Sequence, residues 1–126
     1  MMNDARTRKT ICVVDDDADV RDSIRAILES CGYVVRTYSS ASALLGRRGA
    51  VDHDCLLLDL NMPEMNGVEL LERLRAQGVA TPAIFLTGNG NGLKARMKRA
   101  GALKVLYKPV SDEDLLFWIE LACKSA

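Results

Sequence analysis

The chain has 126 residues, 48% of them hydrophobic and 27% charged, which is the size and composition of a single globular domain with one core. Seventeen basic side chains balance seventeen acidic ones, so the charge does not favour direct binding to nucleic acid or to an anionic membrane. The basic start lacks the apolar stretch of a signal peptide, and no apolar run approaches the ~20 residues of a membrane-spanning helix, so we expect a cytoplasmic protein.

Short apolar runs alternate along the chain with longer segments in which apolar residues recur with the period of a helix. Gly32, Gly49 and Gly78 are expected to end the first three helices, because glycine readily takes the left-handed conformation of a helix end. We expect a flexible N-terminal segment at 1–9 and one domain at 10–124. The pattern predicts strands at 10–14, 33–38, 55–60, 83–87 and 103–107, and helices at 20–31, 39–48, 66–78, 92–101 and 111–124.

Strict alternation of strands and helices predicts a parallel sheet with helices on both faces. The runs at 10–14 and 55–60 contain consecutive apolar residues, which is typical of central strands buried on both sides. The run at 33–38 contains Arg36 and is expected at an edge. A flavodoxin-like, doubly wound (βα)5 fold with strand order 2-1-3-4-5 satisfies these conditions, and it places a ligand-binding crevice between strands one and three.

Neither the cysteines nor the histidine of the chain shows the spacing of a zinc site. The single histidine, His53, is flanked by two aspartates in a polar connection and is expected at the surface. The cysteines are expected to be reduced thiols, with the first and third buried in strands. They are Cys12, Cys31, Cys55 and Cys123.

Reactive side chains stand where four of the predicted strands end. Because the carboxyl ends of parallel strands meet at one edge of the sheet, we expect these side chains to converge in the crevice. They are Asp15 and Asp16 after strand one, Asp59 in strand three, Thr87 at the end of strand four and Lys108 after strand five. Asp17 and Asp19 are instead expected at the start of the first helix, where carboxylates interact favourably with the helix dipole.

Charge repulsion indicates what such a crevice binds. Two carboxylates ~4 Å apart repel by about 4 kcal/mol at an effective dielectric constant near 20. Three of them with one lysine leave a negative pocket that should take up protons or bind a cation. Oxygen donors without histidine or cysteine favour Mg²⁺ or Mn²⁺ over zinc. A metal, an ammonium group and a hydroxyl around a carboxylate suit phosphoryl transfer, with Asp59 as the nucleophile that forms an aspartyl-phosphate.

The residues around these positions resemble those of a known family. The resemblance covers roughly residues 10 to 123 and is to response-regulator receiver domains of two-component signalling, especially the FixJ type. It is carried by VVDDDADVR (13–21), LLLDLNMPEMNGVELLERL (56–74), LTG (86–88), AGA (100–102) and YKP (107–109). It implies that Asp59 accepts a phosphoryl group from a histidine kinase or phosphotransfer protein in an Mg²⁺-dependent reaction.

The resemblance also implies a metal site. Asp16, Asp59 and the main-chain carbonyl of Asn61 would ligate Mg²⁺ (or Mn²⁺), with Asp15 acting through a water molecule.

The resemblance assigns phosphate contacts and a switch as well. Lys108 would pair with the phosphoryl oxygens, and the main-chain amides of Leu60 and Gly88 would contact them. Thr87 would move toward the phosphate and relay the change to the face formed by helix four, strand five and helix five. The partner at that face would be an output domain in the same longer chain, a downstream protein, or a second copy of the receiver in a homodimer.

Two departures from the family pattern affect the switch. Receivers usually carry an aromatic residue three positions before the conserved lysine, where this chain has Val105. Tyr107 lies on the same face of the strand, ~7 Å further along, and we expect it to take that role. The connection from Thr87 to Lys108 is one residue shorter than usual, and the glycines in TGNGNG (87–92) predict a mobile loop and a late start to helix four.

Two other functions remain open from the sequence. A phosphatase with an aspartyl-phosphate intermediate normally has a second carboxylate two residues after the nucleophile, where this chain has Asn61, and we see no segment for a cap domain. A protein-interaction module could keep the receiver fold without being phosphorylated, which the presence of Val105 leaves open. We expect a signalling receiver that catalyses only its own phosphorylation and dephosphorylation, not an enzyme acting on a separate substrate.

Overall fold

A computed structural model describes residues 8–46, 52–90 and 92–125 and confirms the predicted alternation. The sheet has five parallel strands in the order β2-β1-β3-β4-β5. The strands are β1 (Thr10–Val14), β2 (Val34–Tyr38), β3 (Cys55–Asp59), β4 (Ala83–Thr87) and β5 (Ala102–Tyr107). The helices are α1 (Ala18–Ser30), α2 (Ala41–Leu45), α3 (Gly67–Ala76), α4 (Lys94–Arg99) and α5 (Asp112–Ser125). None of the helices in these described ranges is long and apolar enough to cross a membrane.

The sheet separates two hydrophobic cores, because alternate strand residues point to opposite faces. Cys12 and Val14 of β1 pack with α2, α3 and α4, whereas Ile11 and Val13 pack with α1 and α5. Every residue of β3 and β4 is buried, as expected for interior strands. Arg36 is exposed on the edge strand β2, in agreement with the sequence analysis.

Two helices are shorter than the sequence predicts. The helix expected at 39–48 runs only from 41 to 45, because Ser40 caps it by accepting from the Ala43 amide at 3.1 Å and the chain leaves the helix at Gly46. The predicted terminator Gly49 lies outside the described residues. The helix expected at 92–101 begins after Leu93, which makes no side-chain cap, and ends before Gly101 at φ 92°.

The prediction for His53 is wrong. The residue is only 5% exposed, and its ring meets that of Tyr38 edge-on at 6.5 Å between centroids. Two hydrogen bonds hold the polar connection that contains His53. Thr81 Oγ1 donates to the His53 carbonyl, and the Asp54 carboxylate accepts from the Thr10 amide at 2.8 Å. Polar residues in and near this connection therefore bind main-chain groups and do not form a solvent-facing loop.

The four cysteines have free thiols. Cys12, Cys55 and Cys123 are buried, and Cys31 is exposed at the end of α1. Burial raises the pKa of Cys12 to about 12, which keeps this thiol protonated and unreactive at neutral pH. The flexible segment predicted at 1–9 lies outside the described residues up to position 7, and Arg8 and Lys9 are exposed.

Candidate functional site

The side chains predicted at the strand ends lie together at the carboxyl edge of the sheet. The Lys108 ammonium nitrogen is 3.2 Å from Asp59 Oδ1 and 3.7 Å from Asp15 Oδ2. Asp15, Asp16 and Asp59 each offer a carboxylate oxygen to a cluster whose atoms lie within 4.8 Å of one another. Asp15 and Asp59 are buried, whereas Asp16 is exposed, so the cluster has one solvent-facing member.

The chain after Asp59 is shaped to bring α3 close to the site. The Gly67 amide donates to the Leu60 carbonyl at 3.0 Å, and a Cβ atom at Gly67 would collide with the Asp59 carbonyl oxygen. Asn66 and Glu69 form a reciprocal capping box, in which each side chain accepts from the other residue's amide at 2.9 Å. Glycine and cap together fix where α3 begins relative to the buried carboxylate.

Asp15 is held by its main chain and by one carboxylate oxygen. Its amide donates to the Tyr38 carbonyl at 3.1 Å, and its carbonyl accepts from Arg21 Nη1 at 2.7 Å. Its Oδ1 accepts from the Asp17 amide at 2.9 Å, while Asp17 itself caps α1. Oδ2 is buried and has no hydrogen-bond partner, which leaves it directed at the Lys108 ammonium group. The role of Arg21 was not predicted from the sequence.

Burial and mutual repulsion shift the ionisation of the pocket. Burial raises the pKa of the Asp15 carboxyl group, against the opposing effects of the Asp17 amide and the Lys108 charge. Burial, followed by the charge of Asp15, raises the pKa of Asp59, and Lys108 again opposes the shift. Burial acts to lower the pKa of Lys108, but the charges of Asp15 and Asp59 outweigh it and raise that pKa. The single Lys108 ammonium group therefore neutralises only part of the negative charge of the three carboxylates.

The donor set fits a hard divalent cation. The three clustered carboxylates supply oxygen atoms only, and the partnerless Oδ2 of Asp15 is a buried acceptor that lacks a proton or cation within hydrogen-bond distance. Asn61, the fourth predicted ligand, is exposed, and its main-chain amide acts to lower the pKa of the Asp59 carboxyl group. Mg²⁺ uses one or two carboxylates with water and phosphate oxygens, so these residues could hold it.

Thr87 is fully buried, and its hydroxyl is engaged by residues that the sequence analysis did not assign to it. The hydroxyl donates to the Asn89 carbonyl and accepts from the Asn89 amide at 3.2 Å, which is a local turn typical of threonine. The Asn61 side-chain amide lies 3.4 Å from the same oxygen. An asparagine two residues after a threonine at a strand end was the available signal for this turn.

The two predicted main-chain contacts to phosphate differ in availability. The Leu60 amide donates to the Leu86 carbonyl at 2.9 Å as part of the sheet, so it could contact phosphate only by giving up that hydrogen bond. The next main-chain amide, that of Asn61, acts to lower the pKa of the Asp59 carboxyl group. Gly88 is exposed and has open space where a side chain would begin, so its amide can be approached closely.

Comparison with known proteins identifies the family. A family model described as Response regulator receiver domain matches residues 11–120. The chain belongs to this family. Transcriptional regulatory protein FixJ of Bradyrhizobium diazoefficiens is 36% identical over 121 residues, which cover 95% of this chain and 59% of FixJ. Response regulator protein TmoT of Ectopseudomonas mendocina is 37% identical over 126 residues, which cover 99% of this chain and 56% of TmoT.

The solved structures agree with this assignment. The crystal structure of FixJ-N superposes with a TM-score of 0.85 at 33% identity, covering 99% of this chain and 98% of that one. The receiver domain described here spans a little more than half the length of the two curated relatives above. It is a response-regulator receiver of two-component signalling, and its five-stranded α/β fold is that of the family.

The positions where this receiver departs from the family pattern lie along β5. Val105 pairs with Phe85 and packs partly buried against the α2–α3–α4 core. Tyr107 pairs with Thr87 and is 46% exposed, and its hydroxyl would be 3.6 Å from a Cβ atom at Gly90. The Tyr107 ring therefore reaches the loop that follows Thr87. Next to it, the Lys108–Pro109 bond is cis.

Proposed function

We propose that this receiver accepts a phosphoryl group on the Asp59 carboxylate from a phosphohistidine of a histidine kinase or phosphotransfer protein. The observation that supports this is the buried Asp59 carboxylate, with the Lys108 ammonium group 3.2 Å away and two further carboxylates clustered beside it. A carboxylate oxygen would form a bond to phosphorus while the bond from phosphorus to the donor imidazole nitrogen breaks. The imidazole leaves with the electron pair of that bond.

Each residue around Asp59 has a task in this proposal. Asp16, Asp59 and the Asn61 carbonyl would hold Mg²⁺, with Asp15 acting through water, and the metal would neutralise charge on the phosphoryl oxygens. Lys108 stands where it can pair with another phosphoryl oxygen once its bond to Asp59 is released. We place the Asn61 amide, in the position first assigned to Leu60, together with the Gly88 amide as main-chain donors to the phosphate.

The signal would leave the site through Thr87. Its hydroxyl would exchange the Asn89 turn for a phosphoryl oxygen, and the loop against Tyr107 would follow, since the tyrosine hydroxyl lies over Gly90. The change would then reach the face formed by α4, β5 and α5. We keep Val105 as the partly buried residue that fills the usual aromatic position.

The partners follow from the same scheme. Because FixJ is a transcriptional regulatory protein and this chain covers 59% of it, an output domain that regulates transcription is the partner we favour. A downstream protein or a second copy of this receiver would use the same α4–β5–α5 face. The free thiols agree with a reducing compartment, so we place the receiver in the cytoplasm. An unphosphorylated interaction module is not favoured, because the acidic cluster and the lysine are all present. A phosphatase is not favoured, because Asn61 stands where such an enzyme normally has a second carboxylate.

Incubation with acetyl phosphate and Mg²⁺ tests both the acceptor and the proposal that the domain catalyses its own phosphorylation and dephosphorylation. Intact mass spectrometry should show one added phosphoryl group on the wild type, lost again with time, and none on Asp59→Asn. Asp17→Asn is the matched control, because asparagine also caps helices and residue 17 is outside the clustered carboxylates. Phosphorylation of Asp59→Asn, or of the wild type in EDTA at an undiminished rate, would refute the proposal.

A further inference from the structure

We infer that Arg21 is a positioning residue for the metal pocket: by holding the main-chain carbonyl of Asp15, it aims the Asp15 carboxylate at the cation site. This inference rests on the proposed function, because it assumes that the pocket binds Mg²⁺. Arg21 lies on α1, outside the clustered carboxylates, and its Nη1 donates to the Asp15 carbonyl at 2.7 Å. The bond is short and charge-assisted, and it lies in a partly buried place.

The contacts of Asp15 show why its orientation depends on Arg21. The amide of Asp15 is fixed to β2 through the Tyr38 carbonyl, and its Oδ1 is fixed to the Asp17 amide at the start of α1. The remaining main-chain group, the carbonyl, has Arg21 as its partner. With these three groups held, the side chain has one orientation, and Oδ2 alone is left to face Lys108 and the cation.

Arg21 is itself held at a fixed position relative to Asp15 and Asp17. Its amide donates to the Asp17 carbonyl at 3.0 Å, and the Asp17 side chain accepts from the amides of Asp19 and Val20. The first turn of α1 therefore carries both the donor to Oδ1 and the arginine that reaches back to the carbonyl. A planar guanidinium group suits this task, because its N–H groups are fixed relative to one another.

Charge and position predict opposite results, which makes the inference testable. By charge alone, a cation near three carboxylates opposes the binding of Mg²⁺, so its removal would tighten binding. If Arg21 positions Asp15, its removal weakens binding, as the loss of groups that orient metal ligands commonly does by about 10-fold or more. The sign of the change in Mg²⁺ affinity separates the two roles.

Isothermal titration calorimetry with Mg²⁺ alone, on the unphosphorylated receiver, measures this sign. We expect Arg21→Met to bind Mg²⁺ about 10-fold more weakly than the wild type. Arg25→Met is the matched control: Arg25 is one turn further along α1, and it donates to the Val35 carbonyl at 3.3 Å and not to any of the clustered aspartates. Its Mg²⁺ affinity should stay within about twofold of the wild type. Arg21→Lys should recover part of the affinity, because an ammonium group can still donate to the carbonyl.

Several outcomes would overturn the inference. Unchanged or tighter binding of Mg²⁺ by Arg21→Met would show that the arginine acts through charge or not at all, and no recovery in Arg21→Lys would count against a carbonyl contact. Thermal melts without metal check folding, and Arg21→Ala, which also lacks a donor and has the same expected loss, replaces Arg21→Met if that variant is unfolded. A wild type that takes up no Mg²⁺ would refute the proposed metal site itself, and Arg21 would then have no ligand to position.

Discussion

At the scale of single residues, the acidic pocket opposes the folding of the metal-free domain. The raised pKa of Asp59 means that the folded domain keeps a proton which the unfolded chain has already released, over the pH range between the ordinary carboxyl pKa and the raised value. Stability therefore falls as pH rises through that range, and the destabilisation is fully present above it. Burial and the charge of Asp15 are its physical causes.

Asp59→Asn should for this reason stabilise the metal-free domain at neutral pH. We expect a gain of about 1 kcal/mol in the free energy of unfolding, since the cost of burying the charge and the repulsion from Asp15 are both removed, and together they outweigh the contact with Lys108 that is lost. Urea denaturation in EDTA measures it. Asp17→Asn removes one carboxylate of the same run but keeps a helix cap, and should change stability little. A destabilised Asp59→Asn variant would contradict the role assigned to repulsion.

The sequence predicted which residues lie together in the site, but it did not predict which of their atoms make the contacts. Strand ends placed Asp15, Asp59 and Lys108 at one edge, since parallel strands allow no other arrangement. The main chain turns sharply after Asp59, so the choice between the Leu60 and Asn61 amides depends on sheet pairing with β4, which periodicity does not reveal. The partners of the Thr87 hydroxyl depend on the same kind of local geometry.

At the scale of elements, α4 is anchored from its third residue to its C-terminal end, and its N-terminal end lacks a side-chain cap. Arg75 of α3 donates through three nitrogens to main-chain carbonyls on both sides of β4, those of Val79, Thr81, Ala100 and Gly101. Arg96 of α4 forms a two-bonded pair with Glu72 of α3 at 2.7 and 2.8 Å. Leu93, in contrast, makes no side-chain cap at the N-terminal end. A rearrangement after Thr87 would therefore take place in the loop that precedes α4.

Loss of the Arg75 contacts should release this C-terminal anchor. Arg75→Met leaves several partly buried carbonyls without a donor, and we expect it to lower the free energy of unfolding by about 2–3 kcal/mol. Hydrogen exchange of the amides at the α4–β5 turn should accelerate more than that of β1. Arg73→Met, an exposed arginine on the same helix, is the control and should leave both unchanged. Equal effects of the two substitutions would show that Arg75 is not an anchor.

The existence of the helices and the glycine ends of α1 and α3, at Gly32 and Gly78, were predictable from the sequence, whereas the ends of α2 and α4 were not. The apolar spacing of α1, α3 and α5 identified their buried faces, because tertiary burial follows the same period. The ends of α2 and α4 depend instead on which serine caps and on which glycines adopt a positive φ, as Gly92 and Gly101 do. Short helices are most affected, since they have few periodic positions to mark them.

At the scale of the whole molecule, the sheet is a fixed frame that carries one charged crevice. The described strands join into a single sheet with a core on each face, so a ligand that binds only the assembled crevice stabilises the entire domain. The unfolded chain has its carboxylates dispersed and should bind Mg²⁺ weakly. Metal affinity and global stability are thereby linked.

Thermal unfolding should follow this linkage. At a free Mg²⁺ concentration of about 100 times its Kd, the free energy of unfolding should rise by about 2.7 kcal/mol, and Tm by roughly 10 °C. Circular dichroism melts over a series of Mg²⁺ concentrations measure the shift, which excess EDTA should reverse and Asp59→Asn should diminish. A Tm independent of Mg²⁺ would argue against a preformed cation site at the sheet edge.

The position of Arg36 has a consequence for the protein at high concentration. In the described sheet, β2 has a neighbour on one side only, and an outer strand offers its main-chain groups as a template to other chains. Arg36 is exposed at the middle of that strand, where its charge disfavours edge-to-edge pairing. Replacing it with a β-branched apolar residue would therefore leave the chemistry at the crevice intact while favouring aggregation into fibrils.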